Sequence, residues 1–180
     1  GITGLVLLWT LGATSVVLGA PGGFHGLRVE PPKTLTGGAL VDGAGQPARF
    51  PLQRDTWQLV FFGYTHCPDI CPMTLHKTVQ LMKELGADSS RLTPVFISID
   101  SNRDRPEQMG AYTRQFDGRV VGLTGDPEAL QTVANEFGVL TRRFQDKTAL
   151  AYTLEHSSFL YLLDPLGRVR LLYPGSADIA

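Results

Sequence analysis

Cysteine is scarce in this chain, which has two among 180 residues. Two cysteines are too few for the disulfide framework of a small secreted domain. They lie four positions apart, as Cys67 and Cys71, and Pro68, Asp69 and Pro72 lie between or beside them. Isolated cysteines are often simply buried, but the prolines and the acid indicate a turn rather than a core strand. The two thiols are therefore predicted to act as one functional pair.

Charged residues are also few, at 18% of the chain, and the two signs nearly cancel to a formal net charge of −1. The absence of a basic bias argues against nucleic-acid binding. Hydrophobic residues make up 43%, which is enough for a core and is not the composition of a disordered chain. A length of 180 residues fits one ordinary domain.

The first twenty residues, GITGLVLLWTLGATSVVLGA, contain no charge. As a helix they would span ~30 Å, which matches a bilayer core, whereas the apolar region of a cleaved signal peptide is usually only ~7–15 residues long. Residues 1–20 are therefore predicted to be a membrane anchor, with a signal peptide as second choice and a buried core helix as third. The missing initiator Met suggests a start within the anchor. Residues 21–33, rich in Gly and Pro, are predicted to be a linker.

The rest of the chain alternates strand and helix patterns. A hairpin is predicted over 34–52, further strands at 57–62, 94–99, 119–123, 157–163 and 168–173, and helices at about 70–85, 106–116 and 127–137. Residues 139–155 have no clear period and are predicted to be a functional or mobile loop. Residues 175–178 look like the start of another helix, so a truncated C-terminus is expected. This order predicts an α/β fold with a mixed sheet and helices on both faces.

Both thiols fall where a buried strand gives way to a helix. The free N–H groups and the dipole at a helix N-terminus stabilise a thiolate, which makes a good nucleophile or a good metal ligand. Two thiolates select a soft ion such as Cu(I), and an added imidazole would also tolerate Cu(II). A closed zinc site is weakly supported, because only two cysteines and four scattered histidines exist. The residues alone leave metal binding and thiol chemistry open.

Two histidines compete for the place of a third ligand. His66 directly precedes Cys67, so its side chain is expected to point away from an ion held by both thiols, as a turn residue. His156 lies before the strand at 157–163, and ligands in such sheets collect at strand ends. On spacing alone, a hydrogen-bonded strand-end histidine remains the favoured interpretation of His156.

Three segments in the same order, FGYTHCPDICPMTL, VFISIDSNRDRPEQMGAY and EHSSFLYLLDPLGR, resemble the Sco/SenC family of copper-binding proteins. The resemblance covers residues 34–180 and implies a thioredoxin-like domain with an N-terminal β-hairpin, tethered by one N-terminal segment. It implies a copper site made of Cys67, Cys71 and His156. Family members often have Asp before the ligand histidine, where this chain has Glu155; the charge is kept and the reach is longer.

The same resemblance implies a role and a place. The role is that of a copper metallochaperone, rather than an enzyme, that helps assemble the binuclear copper centre of cytochrome c oxidase. The implied partners are the copper-bearing subunit of that oxidase and other copper-donor proteins. The expected location is the bacterial inner membrane, with the domain in the periplasm; the mitochondrial inner membrane, facing the intermembrane space, is the second choice.

A thiol–disulfide oxidoreductase is the alternative, with Cys67 as the attacking thiolate and Cys71 as the resolving thiol. Three residues separate the thiols, whereas thioredoxin-like enzymes have two. Such enzymes also place a cis-proline opposite the thiols, but no proline occurs between Pro127 and Pro165 and His156 lies near that position. A peroxiredoxin-type peroxidase is a further option that only the general fold supports.

Overall fold

The structure is a computed structural model that describes residues 26–52, 55–145 and 152–175. The strands in these ranges are β1 Leu27–Thr34, β2 Gly38–Asp42, β3 Pro47–Phe50, β4 Trp57–Gly63, β5 Leu92–Ser98, β6 Val121–Thr124, β7 Thr141–Gln145, β8 Tyr152–His156, β9 Phe159–Leu163 and β10 Arg168–Pro174. The helices are α1 Ile70–Glu84, α2 Pro106–Arg114 and α3 Pro127–Glu136, and a short 3-10 helix covers Gly86–Arg91.

Eight of these strands form one mixed sheet in the order β1-β10-β9-β4-β5-β6-β2-β3. β4 runs parallel to β5, and β5 runs parallel to β6, while the other neighbours are antiparallel. The antiparallel pairing of β2 with β3 confirms the N-terminal hairpin. The predicted mixed sheet with flanking helices is therefore confirmed.

Strand β4 is the centre of the sheet, and both of its faces are covered. Successive side chains of a strand point to opposite faces. Accordingly Val60 and Phe62 belong to one hydrophobic cluster, with α3 residues, while Leu59 and Phe61 belong to another, with α1 residues. The continuous apolar run at 57–62 predicts this burial on both faces. The loop that follows β4 leads to the start of α1.

The ribbon formed by β7 and β8 differs from the expected loop. The prediction of an unstructured segment over 139–155 is wrong, because these strands pair antiparallel from Thr141 opposite His156 to Gln145 opposite Tyr152. Among the described residues the ribbon is a separate two-stranded sheet. Its backbone is paired, but the side chains of residues 141–144 and 152–156 are exposed or half-exposed. The ribbon therefore shows no buried face in these residues. Its sequence accordingly lacks the alternation of apolar and polar residues by which strands are recognised.

The linker prediction is also wrong over residues 27–33. Strand β1 lies there and pairs antiparallel with β10. The pairing is interrupted between Arg28 and Lys33, the part of the strand that contains Pro31 and Pro32. Proline cannot donate to a ladder and is tolerated at an edge strand or an irregularity, so its presence masked a real strand.

The predicted anchor over residues 1–20 and the predicted last helix lie outside the described residues. Within the described ranges, no helix is long and apolar enough to cross a membrane.

The side chain of Gln58 joins the start of β4 to the preceding loop, and it is fully buried. Its Oε1 accepts a hydrogen bond from the backbone N–H of Leu52 at 3.0 Å, and its Nε2 donates to the carbonyl of Leu52 at 3.1 Å. The substitution Gln58→Leu should leave both backbone groups buried and unpaired. Because each such group costs about 1–3 kcal/mol, urea unfolding should show a large loss of stability.

The control for this prediction is Gln131→Leu on α3. The Gln131 side chain is exposed and bonds to Asn135, so its loss should change the free energy of unfolding by less than about 0.5 kcal/mol. Equal losses in the two variants would contradict the role given to Gln58.

Candidate functional site

The two cysteines lie at the junction of β4 and α1. Cys67 is half-buried in the connecting loop, and Cys71, in the first turn of α1, has no exposed surface. Pro72 is accommodated because the first helical turn does not need its N–H. The prediction of a helix start at Asp69–Cys71 is confirmed by α1, which begins at Ile70.

The two sulfur atoms differ in protonation. The backbone N–H of Cys71 points at the sulfur of Cys67 at 3.4 Å. A hydrogen bond from the Cys71 thiol, with a smaller contribution from the Cys71 backbone N–H, lowers the pKa of Cys67 to about 4. The hydrogen bond to Cys67 and burial raise the pKa of Cys71. At neutral pH the pair therefore consists of a half-buried thiolate at Cys67 and a buried thiol at Cys71, sharing one proton.

His156 reaches the thiols from the ribbon. Its Nε2 lies 3.9 Å from the sulfur of Cys71, while its Nδ1 lies 3.2 Å from the carbonyl oxygen of Ser157. A carbonyl can only accept, so this contact assigns the proton to Nδ1 and leaves the Nε2 lone pair toward the sulfur atoms. The imidazole ring also meets the edges of Phe61 and Tyr64, with centroids 6.0 and 6.4 Å away.

The structure thus brings Cys67, Cys71 and His156 to one corner, although 85 positions separate Cys71 from His156. Their arrangement is that of neighbours rather than of a closed site. Within the described ranges, no three His, Cys, Asp or Glu side chains already have metal-holding geometry. A shared ion would have to draw the imidazole and the Cys71 sulfur closer together than the observed 3.9 Å.

The side chains of the other candidates are largely exposed. His66 is half-exposed, and its Nδ1 lies 3.0 Å from the hydroxyl of Thr65, which fits its predicted place in the turn. His76 is exposed and packs edge-on against Phe116, with centroids 4.9 Å apart. Met73 is 39% exposed and Asp69 is exposed.

Sequence reasoning missed the importance of Gly63. A Cβ added there would lie 2.6 Å from the sulfur of Cys71 and 2.7 Å from the ring of Phe96. A side chain at this position is therefore incompatible with the observed place of the sulfur. In the sequence Gly63 is simply the last residue of a strand, because a close approach between backbone and sulfur leaves no mark in a local pattern.

Asp104 was missed as well. It is completely buried, and burial raises its pKa. Its carboxylate accepts hydrogen bonds from the backbone N–H of Thr65 at 3.0 Å, from the Thr65 hydroxyl at 2.6 Å and from the Ser98 hydroxyl at 2.8 Å. It therefore fixes the loop two residues before Cys67. An acid just before Pro106 would ordinarily be taken for a helix cap, so no sequence signal distinguishes it.

Comparison with known proteins identifies the family of this chain. Residues 33–180 match the SCO1/SenC family model. The chain belongs to the SCO1/SenC family. The mouse protein SCO2 homolog, mitochondrial, is 38% identical over 131 residues, which cover 72% of this chain and 51% of the relative. The chain thus spans about half the length of this SCO1/SenC relative.

Solved structures of the SCO1/SenC family have the same fold. ScoI of Bradyrhizobium japonicum, solved with copper bound, is 32% identical with a TM-score of 0.72, over 78% of this chain and 89% of that one. BsSco, described as a member of the Sco family of cytochrome c oxidase assembly proteins, is 20% identical with a TM-score of 0.60, over 81% and 88%. At that identity BsSco bears on the fold alone. The thioredoxin-like fold and the family resemblance are both confirmed.

The thiolate of Cys67 should make stability depend on pH. Its pKa is about 4 in the folded chain, and that of an unfolded cysteine is ~8.5. Between these values the unfolded chain binds more protons, so the stability that Cys67 contributes is present above the unfolded pKa and is lost as pH falls through the folded one. Subtracting the free energy of unfolding of Cys67→Ala from that of the wild type isolates this contribution. The difference should grow with pH across the window; a constant difference would contradict the assignment of the thiolate.

The substitution Gly63→Ala should displace the sulfur of Cys71 or the ring of Phe96. Overpacking of this kind costs about 1–3 kcal/mol, and the displaced thiol should react faster with iodoacetamide than the buried one. Gly118→Ala is the control, because a Cβ at Gly118 meets no atom within 4 Å. If both variants kept wild-type stability and thiol reactivity, the close packing of the sulfur on β4 would not constrain the site.

Proposed function

We propose that this chain is a copper metallochaperone that binds copper through Cys67, Cys71 and His156 and delivers it during assembly of cytochrome c oxidase. The observation that carries the proposal is the convergence of a thiolate, a thiol and an imidazole whose Nε2 faces the sulfur of Cys71. Copper bound to ScoI of Bradyrhizobium japonicum supports it, as does the membership of the chain in the SCO1/SenC family.

The donor set suits copper. Two sulfur ligands favour soft Cu(I), and the imidazole makes a three-coordinate site that also tolerates Cu(II). Cys67 is already a thiolate at neutral pH, whereas Cys71 holds its proton. Loading one Cu(I) should therefore release about one proton, from Cys71. The product would have two thiolates and one monovalent cation, with a net charge of −1 at the site.

Delivery follows from the unequal exposure of the ligands. Cys71 is fully buried, while Cys67 is half-buried and lies in a loop. An incoming thiolate or imidazole of the partner would reach the ion from the side of Cys67, share it, and displace this sulfur first. The proposed recipient is the copper-bearing subunit of the oxidase, and other copper-binding proteins are the proposed donors.

The proposed location is a bacterial inner membrane, with the described domain on its periplasmic side and residues 1–20 as the anchor. The second choice is the mitochondrial inner membrane, with the domain facing the intermembrane space. The relatives include both mitochondrial and bacterial Sco proteins.

A thiol–disulfide reductase is the second candidate, because one low-pKa thiol beside a protonated one also suits thiol exchange. The Cys67 thiolate would attack a target disulfide and release one target thiolate. The Cys71 sulfur, after losing its proton to that thiolate, would then attack Cys67 and expel the second target sulfur, leaving a Cys67–Cys71 disulfide and one thiol and one thiolate on the target; the thiolate takes its proton from water. The burial and raised pKa of Cys71 oppose this second step.

Anaerobic Cu(I) titration against a competing chelator tests the leading proposal. The wild type should bind one copper per chain, and Cys71→Ala and His156→Ala should each bind at least ~10-fold more weakly, since each loses one ligand. His76→Ala is the matched control and should bind like the wild type, because His76 lies against Phe116.

An unchanged affinity in His156→Ala would refute the three-ligand site. Fast reduction of a disulfide substrate that is insensitive to His156→Ala, together with weak copper binding by the wild type, would favour the reductase instead.

A further inference from the structure

The turn between β5 and α2 contacts both halves of the candidate copper site. Asp104 in this turn holds Thr65, two residues before Cys67. Its neighbour Arg103 holds Tyr152, four residues before His156. Two consecutive side chains therefore connect the loop that carries one cysteine with the ribbon that carries the histidine.

The guanidinium group of Arg103 contacts Tyr152 in two ways. Its Nη1 donates to the carbonyl of Tyr152 at 2.9 Å, and its central carbon lies 3.7 Å from the centroid of the Tyr152 ring. Its Nε pairs with the carboxylate of Asp100, and the Tyr152 hydroxyl donates to the other oxygen of that carboxylate. Arg103, Asp100 and Tyr152 form a closed, partly buried ring of contacts, here called the clamp.

The clamp also reaches the start of the cysteine loop. The Arg103 guanidinium lies 5.5 Å from the ring centroid of Tyr64, which directly follows the last residue of β4. The Tyr64 hydroxyl accepts a hydrogen bond from the backbone N–H of Leu154 at 3.3 Å. The contacts of Arg103 thus bridge Tyr64, on the cysteine side, and Tyr152, on the histidine side.

The ribbon needs such an attachment. An isolated two-stranded ribbon is at best marginally stable in water, and β7 and β8 do not pair with the main sheet in the described ranges. At its base, Leu140 and Ser157 exchange hydrogen bonds of 3.2 Å. At Tyr152, the clamp is joined by Arg143, whose guanidinium carbon lies 3.6 Å from the same ring centroid. Within the described ranges, the clamp ties the far end of β8 to the core.

We propose that Arg103 is a positioning residue for His156: with Asp100 and Tyr152 it sets the place of the ribbon, and hence the distance from Nε2 to the two sulfur atoms. This inference rests on the proposed copper site, but it concerns how the apo chain is organised. Lysine should not replace Arg103, because an ammonium group cannot stack on the ring while donating in the plane to both a carbonyl and a carboxylate.

The test is a double-mutant cycle of Arg103→Met with His156→Ala, read by Cu(I) affinity. Outer groups that orient a ligand typically contribute about 10–100-fold to metal affinity, so Arg103→Met and Arg103→Lys should each lose about that much. If Arg103 acts through His156, neither substitution should lower the Cu(I) affinity further when His156 is already Ala. Arg168→Met is the control: it removes a comparable pair with Asp164, between β9 and β10, and should bind like the wild type.

A copper-free measurement tests the same inference independently. Amide hydrogen exchange over residues 152–156 should become faster in Arg103→Met, while exchange in α1 should stay at the wild-type rate. Tyr152→Phe guards against a variant that does not fold, because it removes only the hydroxyl, which bonds to Asp100, and leaves the ring under the Arg103 guanidinium. It should show the same two effects at smaller size.

The outcomes separate the two proposals. If the wild type binds no copper, or His156→Ala binds it normally, the proposed function fails and hydrogen exchange alone decides the inference about the clamp. If His156→Ala weakens binding as expected but Arg103→Met does not, the inference is overturned. It is also overturned if Arg103→Met weakens binding equally in the His156→Ala background, or if exchange in the ribbon does not change.

Discussion

One proton shared between Cys67 and Cys71 determines what this corner of the molecule can do. The helix start provides the Cys71 backbone N–H, and the buried Cys71 thiol provides a second donor, so the negative charge rests on Cys67. Two thiolates this close together would repel each other in a partly buried site, and two neutral thiols would be poor ligands and poor nucleophiles. In the state with one thiolate and one thiol, the two sulfur atoms share a proton that a soft cation could replace.

The fold delivers the groups of the site from different parts of the sheet. β4 and β5 run parallel, so their carboxyl ends meet at one edge, which is where sheets of this class place ligands. The cysteine loop follows β4, and the turn with Asp104 follows β5. The histidine comes from the ribbon, outside the main sheet. The cysteine side is therefore held by the core, whereas the position of His156 depends on the contacts of the ribbon that carries it.

The sequence predicted the parts of the fold that bury apolar side chains with a clear pattern. β4, α1 and β5 were predicted correctly because their buried positions form runs of consecutive or helically spaced apolar residues. β1 and the β7–β8 ribbon were missed because one contains prolines and the other lacks a buried face. Such strands are stabilised by backbone pairing and by long-range stacking, neither of which leaves a period in the sequence.

The candidate site was predictable for a different reason. The cysteine pair was visible from composition and spacing, but the assignment of His156 came from resemblance to a family, since spacing alone favoured an ordinary strand-end histidine. The residues that hold these groups in place were not visible at all. Gly63, Arg103 and Asp104 act through contacts made in three dimensions; Asp104 bonds to Thr65, 39 positions away, and Arg103 to Tyr152, 49 positions away.

The unequal support of the ligands favours delivery of a metal ion over turnover of disulfides. A reductase needs its second thiol to ionise and to move toward the first, but Cys71 is buried against β4 with a raised pKa. A carrier needs one firmly held ligand to retain the ion and others that can let go. Under the proposed function, Cys71 would meet the first requirement, and Cys67 in its loop and His156 on the ribbon would meet the second. These positions support the proposed exchange of ligands around an ion more than the closing of a disulfide in each cycle.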